Sequence, residues 1–271
     1  MSTFDPAACA DVMDAMTAIS ISAAEAIRRS HGQGSVRIKA DGSPVTTADE
    51  AAEAVIRDGL AHLAPALPVI SEELAEREKP AIPSASFILV DPLDGTKEYI
   101  AGRDDFTINI AVVSDGAPIL GVITAPALGL IWRGTVGRGA ERLEFSSRKT
   151  SPPQAIRTRP RAAGDLLVMV SRSHLDARTE AYLGGLPRAR RIPCGSSLKF
   201  CRLAEGAADL YPRLGPTRDW DVAAGHAILA AAGGSVVAPE GTSLIYGGPA
   251  LLIPAFVAWG DPGAASPAIG G

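Results

Sequence analysis

The amino-acid sequence predicts the α/β (α+β) class, with sheets and helices arranged in layers. Apolar runs of strand length alternate with segments of helical periodicity along most of the chain. Between residues 106 and 133, three strand-like runs are separated only by turn residues, which is the pattern of an antiparallel meander. Strands that alternate with helices, together with an antiparallel section, predict sheets that are covered by helices.

The composition is that of a globular protein with a large core. Of the 271 residues, 46% are hydrophobic and 21% are charged. The net charge of -4 gives no general positive field that would attract nucleic acid or an anionic membrane. No apolar run reaches the length of about 18 residues that a membrane-spanning helix needs, and the first 30 residues contain four acids. We therefore expect a cytoplasmic protein, with peripheral attachment to the inner membrane as an alternative.

The cysteines predict a reducing compartment. Cys9, Cys194 and Cys201 are odd in number and show no CxxC spacing. Buried, reduced thiols are the simplest interpretation.

The first half of the chain alternates helical and strand-like segments. Asp5-Pro6 is typical of a helix start, because Asp caps the free N–H groups and Pro has none to lose. Thr46 or Thr47 can cap a second helix after the polar loop 39–49. In chain order we predict helices at 5–29 and 48–64, strands at 68–70 and 84–90, a short helix at 97–101, and strands at 106–113, 118–124 and 128–133.

A predicted linker precedes the second half. Residues 146–163 are rich in Ser, Pro and Arg and poor in apolar side chains, so we divide the chain into domains of residues 1–150 and 151–271 that form one unit. The most apolar C-terminal segment, residues 244–259, is interrupted by Gly and Pro and carries no predicted element. Beyond the linker we predict strands at 165–170, 190–192 and 208–211, and helices after residue 174, at 195–205 and at 220–232.

The stretch Asp91–Thr96 (D-P-L-D-G-T) carries the first chemical signal. Asp91 and Asp94 follow a buried strand, and Gly95 and Thr96 open a short helix. Carboxylates can hold a hard cation through oxygen, and the free N–H groups of a helix start can hold a phosphate. The alternative is a solvated turn, since Pro, Asp and Gly are ordinary turn residues.

Five acids stand at predicted strand ends or helix starts. Taken singly, each is as well explained as a helix cap or a solvated side chain. If strands 68–70 and 84–90 are neighbours, however, the acids that follow them meet at one sheet edge. Oxygen-only ligands suit Mg²⁺ or Mn²⁺ rather than Zn²⁺, and such ions activate water and neutralise phosphate charge. The five are Asp49, Glu72, Asp91, Asp94 and Asp221.

Three motifs resemble the lithium-sensitive, Mg²⁺-dependent phosphatase superfamily of inositol monophosphatases and fructose bisphosphatases. They are Glu72-Glu73, Asp91–Thr96 and Trp220–Gly225 (W-D-V-A-A-G). Within that superfamily the chain is similar to the bacterial 3'(2'),5'-bisphosphate nucleotidases of the CysQ type, in stretches at 41–49, 91–100, 106–111, 171–174, 195–201 and 211–217. The resemblance runs from about residue 8 to about residue 245. It implies an α-β-α-β-α sandwich, with metal and phosphate bound by the first domain and the substrate selected by the second.

The resemblance also implies roles for particular residues. Asp49 and Thr96 would share a nucleophilic water, and Glu72 would join them in catalysis. The water would attack phosphorus directly, without a covalent enzyme intermediate. Two or three Mg²⁺ ions, replaceable by Mn²⁺, would be held by Glu72, Asp91, the Leu93 carbonyl, Asp94 and Asp221, with Asp49 at a weaker third site. The expected substrate contacts are Glu72, Leu93, Asp94, Gly95, Thr96, His174, Ser197, Lys199, Arg213 and Asp221.

Arg213 bears on the choice of substrate. Inositol monophosphatases generally place an acid near this position, whereas a cation fits a second phosphate. His174, Ser197, Lys199 and Arg218 are further candidates. The alternatives are surface ion pairs for the two arginines, a cap or core role for His174, and a helix start and its solvated face for Ser197 and Lys199. The charged pair Arg218-Asp219 departs from the family pattern.

The leading hypothesis is a Mg²⁺-dependent hydrolase that removes the 3'-phosphate of adenosine 3',5'-bisphosphate and so clears a by-product of sulfate assimilation. 3'-Phosphoadenylyl sulfate is a second candidate substrate. The expected partner is a phosphorylated nucleotide and not nucleic acid, and a homodimer is compatible with the resemblance. The alternatives are an inositol monophosphatase or sugar-bisphosphate phosphatase, and a non-catalytic nucleotide- or metal-binding regulator. An aspartyl-phosphate phosphatase is disfavoured because it requires the spacing D-x-D-x-T.

Overall fold

The structure is a computed structural model that describes residues 9–30, 35–77, 85–161, 164–173 and 175–264. Its helices are α1 (Cys9–Ser30), α2 (Thr47–Leu63), α3 (Glu72–Arg77), α4 (Thr96–Ile100), α5 (Ala177–Gly184), α6 (Leu198–Ala204) and α7 (Asp219–Ala231), with a 3-10 turn at Pro262–Ala264. The strands before residue 160 are β1 (Val36–Ile38), β2 (Pro44–Thr46), β3 (Val69–Ser71), β4 (Ser86–Asp94), β5 (Thr107–Ser114), β6 (Ala117–Ala125), β7 (Leu130–Thr135), β8 (Gly139–Ser146), β9 (Lys149–Thr150) and β10 (Gln154–Ile156). Those after it are β11 (Leu166–Ser171), β12 (Ala189–Cys194), β13 (Leu210–Arg213), β14 (Thr217–Arg218), β15 (Ser235–Val237), β16 (Leu252–Ile253) and β17 (Phe256–Trp259).

The first sheet runs in the order β10-β8-β7-β6-β5-β4-β3, with β9 paired to β8. Its strand pairs are antiparallel except β3–β4, which is parallel. The predicted meander is therefore confirmed as β5-β6-β7 and extends on both sides. One face of the sheet packs against α1 and α2, because the apolar stripes of both helices and alternate residues of the strands are buried together.

The second sheet has the order β12-β11-β13-β17-β15. Helices α6 and α7 lie between the two sheets, since one apolar cluster joins side chains of both helices to the facing sides of both sheets. A separate cluster covers the outer face of the second sheet beneath α5. The order of layers is thus α1/α2, first sheet, α6/α7, second sheet, α5, which confirms the predicted α-β-α-β-α sandwich.

Two glycines allow the central helices to sit this close. A Cβ on Gly121 of β6 would collide with the backbone carbonyl of Ala224 in α7. A Cβ on Gly225 of α7 would enter the ring of Phe200 in α6. Since the start of α7 carries Asp221, these contacts also set the position of a predicted site residue.

The linker prediction is corrected by the structure. Strand β10 pairs antiparallel with β8 through Gln154–Ile156, so the first half of segment 146–163 belongs to the first sheet. It was misjudged because β10 lies at the sheet edge and has no fully buried side chain, so its composition resembles that of a loop. Residues 162–163 lie outside the described part of the chain, as does the predicted helix start at Asp5-Pro6.

Strand β17 was not predicted at all. Phe256–Trp259 is buried throughout and lies between β13 and β15. Its four residues show no alternation because both faces are covered, and the neighbouring Pro254 suggested a loop.

Two smaller predictions can also be checked. The three cysteines form no disulfide; Cys9 and Cys201 are buried and Cys194 is half-buried. None of the helices in the described part of the chain combines the length and the hydropathy needed to cross a bilayer.

Candidate active site

The site begins where β3 and β4 end. The two strands pair in parallel with Ser71 opposite Val90, so the residues that follow, Glu72 and Asp91, lie at the same sheet edge. This confirms the convergence expected from the sequence. Glu72 is the first residue of α3, whereas Asp91 belongs to the buried end of β4.

The end of β4 is irregular and turns directly into α4. The pairing with β5 shifts between Asp91 and Asp94, as in a β-bulge, and re-aims the side chains there. The Leu93 amide donates to Oδ1 of Asp91 over 3.0 Å. Gly95 then adopts a φ of 94°, which a side chain would disfavour, and Thr96 starts the helix. The glycine therefore makes the sharp turn that brings both acids and the helix start together.

Asp49 reaches the site from α2. Its Oδ2 accepts from the Thr46 amide at 2.8 Å and the Thr46 hydroxyl at 2.6 Å, so Thr46 rather than Thr47 caps the helix. Its Oδ1 lies 3.1 Å from the hydroxyl of Thr96, which donates to it. The structure thus joins Asp49 and Thr96, two residues predicted to act on one water.

Asp221 comes from the start of α7. Its Oδ2 accepts from the hydroxyl of Thr217 and, at 3.2 Å, from the amide of Arg218. The helix begins at Asp219, one residue earlier than predicted. Asp219 itself is buried and accepts from the Gly247 amide at 2.7 Å.

A single cleft of about 420 Å³ brings most of the predicted residues together. Asp49 does not line this cleft and contacts it through Thr96. His174 lies outside the described residues. The lining includes Glu72, Asp91, Leu93, Asp94, Gly95, Thr96, Ser197, Lys199, Arg213, Arg218 and Asp221.

Burial and mutual repulsion raise the pKa of the clustered acids. Burial, and then the charges of Glu72 and Asp94, raise the pKa of Asp91 well above its ordinary value. The pKa of Asp94 rises to about 6 through burial and the charge of Asp221. That of Glu72 rises to about 8, chiefly through burial. Several carboxylates that cannot all ionise without a counter-charge are the electrostatic signature of a cation site.

The four acids of the cleft fit Mg²⁺ because they supply carboxylate oxygens and because each has one oxygen that accepts no hydrogen bond from a described residue. Hydrogen bonds from described residues fall on one oxygen of each acid: Oε1 of Glu72, Oδ1 of Asp91, and Oδ2 of Asp94 and Asp221. In the described ranges, no three His, Cys, Asp or Glu side chains already form a closed cluster around one point. The second oxygens face no such partner, and hard oxygen donors are those that Mg²⁺ prefers. A cation would therefore draw these oxygens together.

Lys199 and Ser197 are buried, so the interpretation of Lys199 as part of a solvated face is wrong. The ammonium of Lys199 donates to the carbonyl of Ser196 at 2.5 Å and lies 5.0 Å from the centre of the Tyr211 ring. The Ser197 amide donates to Asp94 at 2.6 Å, while its hydroxyl donates to Asn109 at 2.6 Å. Ser197 thus holds a predicted ligand in place through its backbone.

The two arginines occupy different depths of the cleft. Arg213 is half-buried and lines the cleft; its guanidinium donates to the Pro216 carbonyl at 3.4 Å and is also hydrogen-bonded to Tyr211. Arg218 is exposed, lies 5.7 Å from the centre of the Trp220 ring and donates to the Ala250 carbonyl. Neither forms an ion pair with a residue that the structure describes, which does not support the ion-pair alternative.

Lys39 is a site residue that sequence reasoning missed. Its ammonium lies 2.8 Å from Glu72 and 2.7 Å from Glu73, and its side chain is 4% exposed. Burial alone would lower the pKa of Lys39, but the two acids hold it above its ordinary value. No local signal could have found it, because its partners lie more than 30 residues away in the sequence. Asn109, which accepts from the Ser197 hydroxyl, lies within the stretch 106–111 that resembles the family, but the sequence pattern assigns it no role.

Comparison with known proteins finds a family model and named relatives that cover most of the chain. The family model described as the inositol monophosphatase family matches residues 8–266. Relatives from Shigella flexneri and Escherichia coli (strain K12), both named 3'(2'),5'-bisphosphate nucleotidase CysQ, are 48% and 45% identical over 208 and 213 residues, in each case 77% of this chain and 81% of the relative.

Solved structures show the same fold. The crystal structure of CysQ from Bacteroides thetaiotaomicron, a bacterial member of the inositol monophosphatase family, is 32% identical, with a TM-score of 0.77 over 93% of this chain and 97% of that one. An IMPase from Thermotoga maritima shares the fold at 23% identity, with a TM-score of 0.76 over 93% of both chains.

Proposed function

This chain belongs to the inositol monophosphatase family, and from that premise we propose that it hydrolyses the 3'-phosphate of adenosine 3',5'-bisphosphate to AMP and phosphate. The observation that carries the proposal is the Asp49–Thr96 pair at the edge of a cleft that is lined by four clustered acids and by the basic side chains of Lys199 and Arg213. Relatives named as bisphosphate nucleotidases, aligned over most of both chains, support the choice of substrate.

Mg²⁺ is the cofactor that the family generally uses, and the acids of the cleft fit it. When bound, it would lower the pKa of a water molecule and neutralise charge on the phosphate. Glu72, Asp91, Asp94 and Asp221 would hold it, together with the Leu93 carbonyl. The proposal extends to two or three ions, to a third site near Asp49 and to replacement by Mn²⁺.

Asp49 and Thr96 would align and activate the nucleophile. The Thr96 hydroxyl donates to Asp49, which leaves its oxygen lone pairs to accept a hydrogen bond from water. Burial raises the pKa of Asp49, while hydrogen bonds from Thr46 and Thr96 offset part of the rise, a balance that suits a general base. The water oxygen would bond to phosphorus as the bond to the 3'-oxygen breaks, and the 3'-oxygen would leave as the hydroxyl of AMP.

The phosphate that reacts would be held at the start of α4. The amides of Gly95 and Thr96 belong to the first turn of the helix, which has no preceding turn to bond to. Both residues line the cleft beside Asp94, so the amides and the proposed metal ligands can contact one phosphate.

The second phosphate would select the substrate. Lys199 and Arg213 stand close enough to Asp94 for their charges to lower its pKa, so positive charge borders the acid cluster. We assign Arg213 to bidentate contact with the 5'-phosphate and Lys199 to a supporting charge. On this basis residues 1–150 mainly supply metal and reacting phosphate contacts, and residues 151–271 mainly select the substrate.

Further parts of the proposal concern the cell. Removal of the 3'-phosphate would clear a by-product of sulfate assimilation, and 3'-phosphoadenylyl sulfate is a second candidate substrate. We also propose that the protein forms a homodimer and is cytoplasmic. Peripheral attachment to the inner membrane is the alternative location.

A phosphate-release panel tests the proposal. With Mg²⁺, we expect turnover of the bisphosphate nucleotide to exceed that of inositol 1-phosphate and fructose 1,6-bisphosphate, and to be inhibited by Li⁺. Faster release from inositol 1-phosphate would replace this function by that of an inositol monophosphatase.

One variant separates an enzyme from a binding protein. Asp94→Asn should abolish turnover, whereas Asp104→Asn, an exposed neighbour, should leave it unchanged. A non-catalytic regulator would show no turnover as wild type and would keep its nucleotide affinity as Asp94→Asn. Trapping of a phosphoenzyme with beryllium fluoride would instead favour an aspartyl-phosphate mechanism.

A further inference from the structure

Glu53 is a buried acid to which the proposed mechanism gives no role. It is 7% exposed and lies on the inner face of α2, one turn after Asp49. A buried carboxylate costs free energy unless it is paired or hydrogen-bonded, so its partners indicate what it does.

Among the residues that the structure describes, the hydrogen-bond partners of Glu53 belong to the segment that presents Glu72. Its Oε1 accepts from the hydroxyl of Ser71 and, at 3.1 Å, from the amide of Leu74. Ser71 ends β3 immediately before Glu72, and Leu74 is the third residue of α3. The Glu53 carboxylate is therefore hydrogen-bonded to the chain on both sides of Glu72.

This contact replaces an ordinary helix cap. The side chain that precedes a helix usually accepts from the amide of its second or third residue. Here Ser71 holds that place, yet its hydroxyl donates to Glu53, which accepts from the third amide. A negative charge near the start of a helix is also favourable. The start of α3 is thus fixed to α2 and not only to its own strand.

The arrangement ties two parts of the site to one rigid element. The same face of α2 carries Asp49, bonded to Thr96, and Glu53, bonded to the segment around Glu72. Lys39 contacts Glu72 directly. The distance between the water-aligning pair and Glu72 is therefore set through α2.

We propose that Glu53 is a positioning residue that orients Glu72 for metal binding. The inference rests on the proposed metal-dependent hydrolysis and deepens it. Partners that orient the ligands of a metal contribute about 10- to 100-fold to metal affinity or activity. Glu53 acts through Ser71 and Leu74 and need not touch the metal or the substrate.

Metal affinity, measured without substrate, tests this directly. We would titrate the metal-free full chain with Mn²⁺ by isothermal calorimetry, and record the Mg²⁺ concentration that gives half-maximal phosphate release. For Glu53→Ala, the dissociation constant for Mn²⁺ and the half-maximal Mg²⁺ concentration should each rise about tenfold. Excess Mg²⁺ should restore most of kcat. Glu53→Gln should remain near wild type, since its carbonyl oxygen can accept the same two hydrogen bonds.

The controls separate positioning from folding. Asp58→Asn changes an exposed acid of the same helix and should leave the metal affinity unchanged. Ser71→Ala should weaken it less than Glu53→Ala, and the double variant should be no weaker than Glu53→Ala alone. Melting temperatures in EDTA report stability separately, and Ser71→Ala provides the weakened variant for comparison with wild type if Glu53→Ala does not fold.

Two results would overturn the inference. One is a Glu53→Ala protein that melts earlier but binds Mn²⁺ as wild type does, since that is a purely structural role. The other is a Glu53→Gln protein as weak in metal binding as Glu53→Ala. A wild type that binds Mn²⁺ but releases no phosphate would instead contradict the proposed function, and the calorimetric comparison would still decide the role of Glu53.

Discussion

Replacement of Thr96 by Val tests the proposed nucleophile pair with little change in shape. Val keeps the branched side chain but removes the hydroxyl that lies 3.1 Å from Asp49 Oδ1 and 3.3 Å from the Leu93 carbonyl. Oδ2 of Asp49 keeps both hydrogen bonds from Thr46. The substitution therefore removes one contact of Asp49 and the group that would align the water.

The two expected effects differ greatly in size. Leaving a buried acceptor without its donor costs about 1–3 kcal/mol, and the neighbouring cleft lets water replace part of the contact at Asp49, so the lower half of that range applies. At about 2–4 °C for each kcal/mol, we expect Tm to fall by about 2–8 °C. Loss of positioned proton transfer costs about 10²- to 10⁴-fold in rate. Thr96→Val should thus lose at least about 100-fold in kcat with only a small loss of stability.

The assay is phosphate release from the bisphosphate nucleotide at saturating Mg²⁺, with Tm measured in EDTA so that metal binding does not shift it. Thr96→Ser restores the hydroxyl and should recover most of kcat. The reasoning is refuted if Thr96→Val keeps more than a tenth of wild-type kcat, or if Thr96→Ser loses as much as Thr96→Val.

Three further predictions address the substrate, the packing and the pH dependence. Arg213→Ala should lower kcat/KM for the bisphosphate nucleotide about 10- to 100-fold, because a charge-assisted hydrogen bond contributes about 1.5–3 kcal/mol, and should change kcat/KM for 3'-AMP less than threefold. Gly121→Ala should destabilise the fold by about 1–3 kcal/mol or more in denaturant unfolding, because the new methyl group meets the carbonyl of Ala224. Burial lowers the pKa of His226 to about 4. The unfolded chain therefore binds an extra proton between about pH 6.5 and 4, so stability is full above this range and falls with acidification, less steeply in His226→Gln.

Matched variants make these outcomes decisive. Gly164→Ala adds a methyl group in open space and should leave stability within about 0.5 kcal/mol. His62→Gln changes an exposed histidine and should keep the wild-type pH slope. Equal losses for Arg213→Ala on both nucleotides would show that Arg213 does not recognise the second phosphate.

Much of the fold was predictable because its signals are local. Helix α2 has its cap at Thr46 and its apolar stripe within one segment, and the meander β5-β6-β7 is marked by turn residues. Strands β10 and β17 could not be predicted from the sequence, for opposite reasons. The first buries too little to show a pattern, and the second is buried on both faces, so nothing in its four residues alternates.

The candidate site likewise combines residues that local signals reveal with contacts that form only between distant elements. Each acid could be found singly, because strand ends and helix starts are visible in the sequence. The contacts that decide their roles could not, since Lys39 meets Glu72 and Ser197 meets Asp94 only after distant elements have packed. The same holds for Lys199, which composition places on a helix surface and packing buries.

The sequence by itself determined the fold class, the five acids and the family resemblance, because periodicity, caps and short motifs depend on neighbouring residues. Tertiary structure alone decided which of these groups touch. It joined Asp49 to Thr96, brought the other four acids into one cleft beside Lys199 and Arg213, and placed Glu53 against the segment that bears Glu72. The physical reason is that burial and Coulomb interactions depend on distances in space, and the packing of α2 and α7 against the first sheet sets those distances.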